Sequence, residues 1–93
     1  MSGQAPDVEA IAIELEAFLR RSFQIAAGDP HFTRQVNLWE EGYVDSAGVV
    51  ETIAWLERRF AVTLPERVVF DPAFTHVSGI AALVAGLLRE GQA

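Results

Sequence analysis

Three stretches of this chain repeat apolar residues every three or four positions, and each is closed by glycine or proline. That pattern restricts the chain to helices that each bury one face. In the first stretch the stripe is Val8, Ile11, Leu15, Phe18 and Leu19, with Asp7 as the capping residue. Arg20 and Arg21 sit near its end, a polarity that suits the helix dipole. The spacing predicts a helix running to about Ala26, ahead of Gly28-Asp29-Pro30. The second predicted helix runs from Ser46 to about Phe60, capped by Asp45. Its inward stripe reads Val49, Ile53, Leu56 and Phe60, with Thr52 beside it and Ala47, Val50, Ala54 and Trp55 elsewhere on the surface. The last is predicted to begin with Thr75 as cap, to turn Val77, Ile80, Leu83, Val84, Leu87 and Leu88 inward, and to end at Gly91.

The connections carry their own signals. Thr63 and Leu64 precede Pro65 and are biased toward extended backbone, so Ala61 to Pro65 reads as a short connector. Glu66 to Phe70 makes one helical turn, ended by Asp71-Pro72. From Gly28 to Val44 the chain has no helical period, a long connection for a domain of this size and therefore a candidate for function. Phe32, Val36, Leu38, Trp39, Tyr43 and Val44 are its expected anchors, and Gly42 suits a turn just before the second helix. No repeat, low-complexity tract or strand pattern is present. The predicted fold is all-α, a four-helix bundle of three main helices and one short one, with a long loop between the first two.

With 93 residues the chain makes one domain with one modest core, drawn from its 51% hydrophobic residues. The expected division is a frayed tail over residues 1–6 and a core over about 7–90. No apolar run is long enough to span a bilayer and no leader pattern opens the chain, so a cytoplasmic location is expected. Cysteine is absent, which excludes disulfides and thiolate metal sites. His31 and His76 lack zinc-site spacing. The net charge of −6 disfavours contact with nucleic-acid phosphates and favours basic patches on protein partners.

Asp45-Ser46, at the junction of the long loop and the second helix, is the candidate site. Asp and Ser are common at helix starts because their side chains accept hydrogen bonds from free backbone N–H groups. A serine hydroxyl there is also open to modification. A phosphodiester on Ser46 would lie at the positive end of the helix, where backbone N–H groups favour negative charge. Asp45 would add charge able to attract a transferase and its magnesium ion.

The order of motifs gives the second reading its weight. Leu38-Trp39-Glu40-Glu41-Gly42-Tyr43 is followed by Asp45-Ser46, then by Glu51-Thr52-Ile53-Ala54-Trp55-Leu56-Glu57-Arg58-Arg59-Phe60. Val62-Thr63-Leu64-Pro65-Glu66 comes next, and Phe74-Thr75-His76-Val77 then opens an apolar helix. From Val8 to Arg89 this order resembles the acyl carrier and peptidyl (aminoacyl) carrier proteins. The resemblance implies a four-helix bundle in which Ser46 receives 4′-phosphopantetheine from coenzyme A. It further implies a carrier rather than an enzyme, holding an acyl or aminoacyl group as a thioester. Its implied partners are a phosphopantetheinyl transferase, an acyl- or aminoacyl-activating ligase, and a downstream acyltransferase or synthase. They would meet Asp45, Ala47, Val50, Glu51, Ala54 and Trp55.

Two departures narrow the cargo. Ala47 stands where the family usually has a bulky residue, and Gly48 follows it. Glu51 and Glu57 are offset by Arg58 and Arg59, unlike the strongly acidic helix of fatty-acid-synthesis carriers. A specialised free-standing carrier is expected, with an aminoacyl or secondary-metabolic cargo, acting as a monomer. Catalysis is disfavoured: Ser46, His76 and Asp45 include the residue types of a hydrolytic triad, but no Gly-x-Ser-x-Gly elbow surrounds Ser46. Glu40-Glu41 reads as a solvated pair. The rival is a small helical interaction module, with Val50 and Trp55 as a docking patch and Ser46 no more than a helix cap.

Overall fold

In the computed structural model, which describes residues 6–91, apolar stripes become helices α1 (Val8–Ser22), α2 (Ser46–Phe60), the short α3 (Glu66–Val69) and α4 (Val77–Gly91). A 3-10 turn at Pro72–Thr75 joins the last two. No strand occurs among the described residues. Of the tail expected over residues 1–6, only Pro6 lies within them.

The helices close on one core. Ile11, Leu15 and Leu19 of α1 meet Val77, Ile80, Ala81 and Val84 of α4, all of them fully buried. Leu56 and Phe60 bring α2 to the same core, and Leu64, Val68 and Phe74 bring the connections. Polar ties bind the outer faces. Arg59 holds both carboxylate oxygens of Glu14, at 2.6 and 2.8 Å, and so clips α2 to α1. The Leu64 N–H donates to the Glu57 carboxylate at 2.8 Å, which orders the connector after α2.

Four details depart from the sequence reading. α1 stops at Ser22 rather than near Ala26, because Gln24 adopts a left-handed conformation with φ of 55°. The Ile25 N–H then closes on the Arg20 carbonyl at 3.1 Å, a hydrogen-bond pattern that ends helices. Phe23, the capping residue at the end of α1, packs edge-on against Phe18. Val8, read as part of the α1 stripe, is exposed one turn before the core begins.

The buried line of α2 is Gly48, Thr52, Leu56 and Phe60, while Val49 and Ile53 flank it half-buried. Leu56 and Phe60 stand as expected, but hydrophobicity alone placed the first half of the line one position off, at Val49 and Ile53, because glycine and threonine score poorly on any apolar scale. Thr52 is accommodated because its hydroxyl donates to the Gly48 carbonyl at 2.8 Å. Finally, Thr75 does not cap α4. Its hydroxyl donates to the Pro72 carbonyl at 2.9 Å within the 3-10 turn, and α4 begins two residues later. Gly79 lets that turn lie against α4: a Cβ there would stand 1.9 Å from the Ala73 carbonyl oxygen.

Candidate functional site

The long loop delivers the chain to the start of α2 along an anchored path. The Leu38 N–H donates to the Thr75 carbonyl at 2.8 Å, and the Ser78 N–H donates to the Arg34 carbonyl at 3.0 Å, so the loop is stitched to the start of α4. On the other side, Arg34 reaches Glu9 at 2.7 Å and Glu16 at 3.1 Å on α1. Those carboxylates raise the guanidinium pKa, and the hydrogen bond from Arg34 lowers that of Glu9. Phe32 and Leu38 are buried beneath. The Asn37 side chain accepts from the Trp39 and Glu40 N–H groups, folding a tight turn that Gly42 completes with φ of 79°.

The end of the loop is fastened by Tyr43, whose hydroxyl donates to Asp29 at 2.8 Å. Asp29 also accepts from the His31 N–H, and these bonds, the His31 one first, lower its pKa. Partial burial, then the Asp29 contact, pushes the Tyr43 phenol up. Val44 is buried and its N–H donates to the Leu38 carbonyl at 3.1 Å. The chain therefore emerges at Asp45 in a defined direction.

Asp45 is the cap of α2. Its side chain accepts from the Gly48 N–H at 2.8 Å and its carbonyl accepts from the Val49 N–H at 2.9 Å. Ser46 is thus the first helical residue. It is exposed, and its hydroxyl makes no hydrogen bond among the described residues. The capping bond is made by Asp45, so the serine oxygen is left to other chemistry.

Asp45, Ala47, Val50 and Glu51 surround Ser46 as exposed residues, and Val50 is 67% exposed. Ala54 is half-buried. Trp55, expected on the surface, turns inward: its ring stacks on Phe18 with centroids 4.5 Å apart and meets Phe60 edge-on at 5.8 Å. It belongs to the seam between α1 and α2. His76 is held beside Thr75, with Nδ1 at 3.3 Å from the hydroxyl, and no hydrogen bond joins it to Ser46 or Asp45 among the described residues.

Sequence reasoning missed Phe23 and gave Gly48 no place in the core. Gly48 is buried against Phe23 and Val44. The available signal was a glycine inside an apolar-periodic helix, which marks a close approach.

A family model described as "Phosphopantetheine attachment site" matches residues 14–84, from the middle of α1 into α4. The chain belongs to this phosphopantetheine-carrying family. No curated protein and no solved structure matches it significantly. Its cofactor is covalently bound 4′-phosphopantetheine, and the all-helical fold is that of an acyl- or peptidyl-carrier domain. Such attachment requires an accessible hydroxyl that tolerates a phosphodiester. The carrier domain holds three serines within the matched span, at Ser22, Ser46 and Ser78. Ser22 ends α1, where the helix dipole is negative. Ser78 is half-buried and accepts from Gln35 at 3.3 Å. No helix of the described residues is long and apolar enough to cross a membrane.

Proposed function

We propose that Ser46 is the attachment residue and that the protein is a carrier, not itself an enzyme. One observation carries this reading: among the three serines of the matched span, Ser46 alone combines exposure with the positive end of a long helix. The Ser46 oxygen attacks the phosphorus of coenzyme A that bears the pantetheine, forming an O–P bond. The diphosphate P–O bond breaks, adenosine 3′,5′-bisphosphate leaves, and a base on the transferase takes the hydroxyl proton. A phosphodiester on Ser46 would lie at the first turn of α2, whose N–H groups favour its charge. When bound, the group supplies a terminal thiol that holds an acyl or aminoacyl group as a thioester.

The chain's own residues fix and present that arm. Asp45 caps the helix and adds negative charge for a transferase carrying magnesium. Ala47, Val50, Glu51 and Ala54 form the face that partners read. The short Ala47 side chain and the mixed charge of α2 support a specialised aminoacyl or secondary-metabolic cargo over fatty acid synthesis. The partners are a phosphopantetheinyl transferase, an activating ligase and a downstream acyltransferase or synthase, met by a cytoplasmic monomer built as one domain with its core over about 7–90.

A second reading, a helical interaction module, draws on Val50 and Phe70, which are 67% and 79% exposed. Intact-protein mass spectrometry after incubation with coenzyme A and a broad-specificity transferase separates the two. The carrier gains one phosphopantetheine and Ser46→Ala gains none while staying folded. A folded parent that gains nothing would leave Ser46 a helix residue and favour the module.

A further inference from the structure

Gly48 is fixed on three sides. Its N–H is taken by the Asp45 carboxylate at 2.8 Å, and its carbonyl by the Thr52 hydroxyl at 2.8 Å. Its bare Cα faces Phe23 and Val44. A Cβ built there would lie 2.7 Å from Val44 Cγ1 and 2.8 Å from Phe23 Cε1. Val44 is bonded through its N–H to Leu38, and Phe23 is bonded to the Leu19 carbonyl and packed edge-on against Phe18 at 6.1 Å. The first turn of α2 is therefore seated against the end of α1 and the end of the loop, two residues beyond Ser46.

From this geometry we infer that Gly48 is a positioning residue for Ser46. Its missing side chain lets the first turn of α2 lie flat on Phe23 and Val44, and that contact sets where the Ser46 oxygen is presented to the transferase. The inference rests on Ser46 as the attachment residue. Both hydrogen bonds lie within the start of α2 and keep its first turn one rigid unit, so a methyl at Gly48 pressing on the Val44 and Phe23 side chains tilts that turn and carries Ser46 with it. Transfer to phosphorus depends on alignment, and a displacement of about 1 Å costs on the order of a hundredfold in rate. The added methyl is buried and every side chain of the outer face is kept, so the loss falls on kcat more than on KM.

The test follows phosphopantetheine transfer from coenzyme A by intact mass, with folding checked by circular dichroism. Gly48→Ala should lower kcat roughly tenfold to a hundredfold and leave KM within about twofold. It should also shift the amide NMR signals of Ser46 and Ala47. Adding Val44→Ala removes the nearest obstructing atom and should recover most of the rate. A role in stability alone would predict normal kcat for the folded fraction and no recovery. Should Gly48→Ala fail to fold, Phe23→Ala empties the seat from the α1 side and should lower kcat in a folded protein. A folded Gly48→Ala protein modified at the parental kcat would overturn the inference, as would an unaltered kcat in folded Phe23→Ala. No mass gain in the parent itself would instead refute the Ser46 assignment.

Discussion

Replacing Trp55 by alanine tests whether this ring is a docking surface or part of the α1–α2 seam. The ring is half-buried, stacked on Phe18 at 4.5 Å and 14°, and edge-on to Phe60 at 5.8 Å. Truncating a fully buried aromatic to alanine costs about 3–5 kcal/mol. Trp55 keeps one face wet, so about 2–3 kcal/mol is expected, including the stacking contribution. A domain of this length is stable by roughly 5–14 kcal/mol, so the loss is a large share. The melting temperature should fall by about 4–8 °C for each kcal/mol lost. Chemical denaturation followed by circular dichroism reads the change. Val50→Ala, on the same helix but 67% exposed, is the control and should stay within about 0.5 kcal/mol. A double-mutant cycle with Phe18→Leu should return a coupling of about 0.5–1.5 kcal/mol. A Trp55→Ala protein within about 1 kcal/mol of the parent, at unchanged denaturant slope, would refute the packing argument and return the ring to the partner surface.

Three further outcomes follow from the geometry. Gly79→Ala should cost about 3 kcal/mol or more, because the new methyl meets the Ala73 carbonyl of the 3-10 turn and neither backbone can move aside; a near-parental denaturation midpoint would contradict this. Glu9 and Asp29 have lowered pKa values in the folded state, so their contribution is present above the usual 4.5 and 3.8 and is lost as pH falls through the folded values. Denaturation midpoints measured down this range should decline, and Arg34→Gln should flatten the part due to Glu9. Tyr43 has a raised pKa, so its contribution is full below 10.0 and is lost as pH rises through the folded value. It is the only tyrosine, so tyrosinate absorbance reports it directly; the midpoint should lie above 10.0 and drop in Asp29→Asn.

Much of the bundle was legible in the chain because local rules act within a few residues. The apolar period marked α1, α2 and α4. Pro65 and Asp71-Pro72 bracketed the short α3, and Asp45 announced the start of α2 at Ser46. The ordered motifs around Asp45-Ser46 also pointed to a phosphopantetheine carrier, and the family match over residues 14–84 agrees. These features depend on propensity, capping and motif order, all of which are written in one dimension.

Tertiary structure decided what no local rule encodes. Gln24 has no sequence feature that demands a left-handed turn, yet that turn ends α1 early, just after Phe23 has packed against Gly48 of α2. Thr52 and Gly48 look unsuited to a core, but a neighbouring carbonyl satisfies the hydroxyl and a packed ring fills the space a side chain would need. Trp55 reads as outward until Phe18, far away in sequence, stacks on it. Arg34 reaches Glu9 and Glu16 across a long loop. Each depends on which distant atoms occupy the adjoining space, and that is settled only when the helices pack.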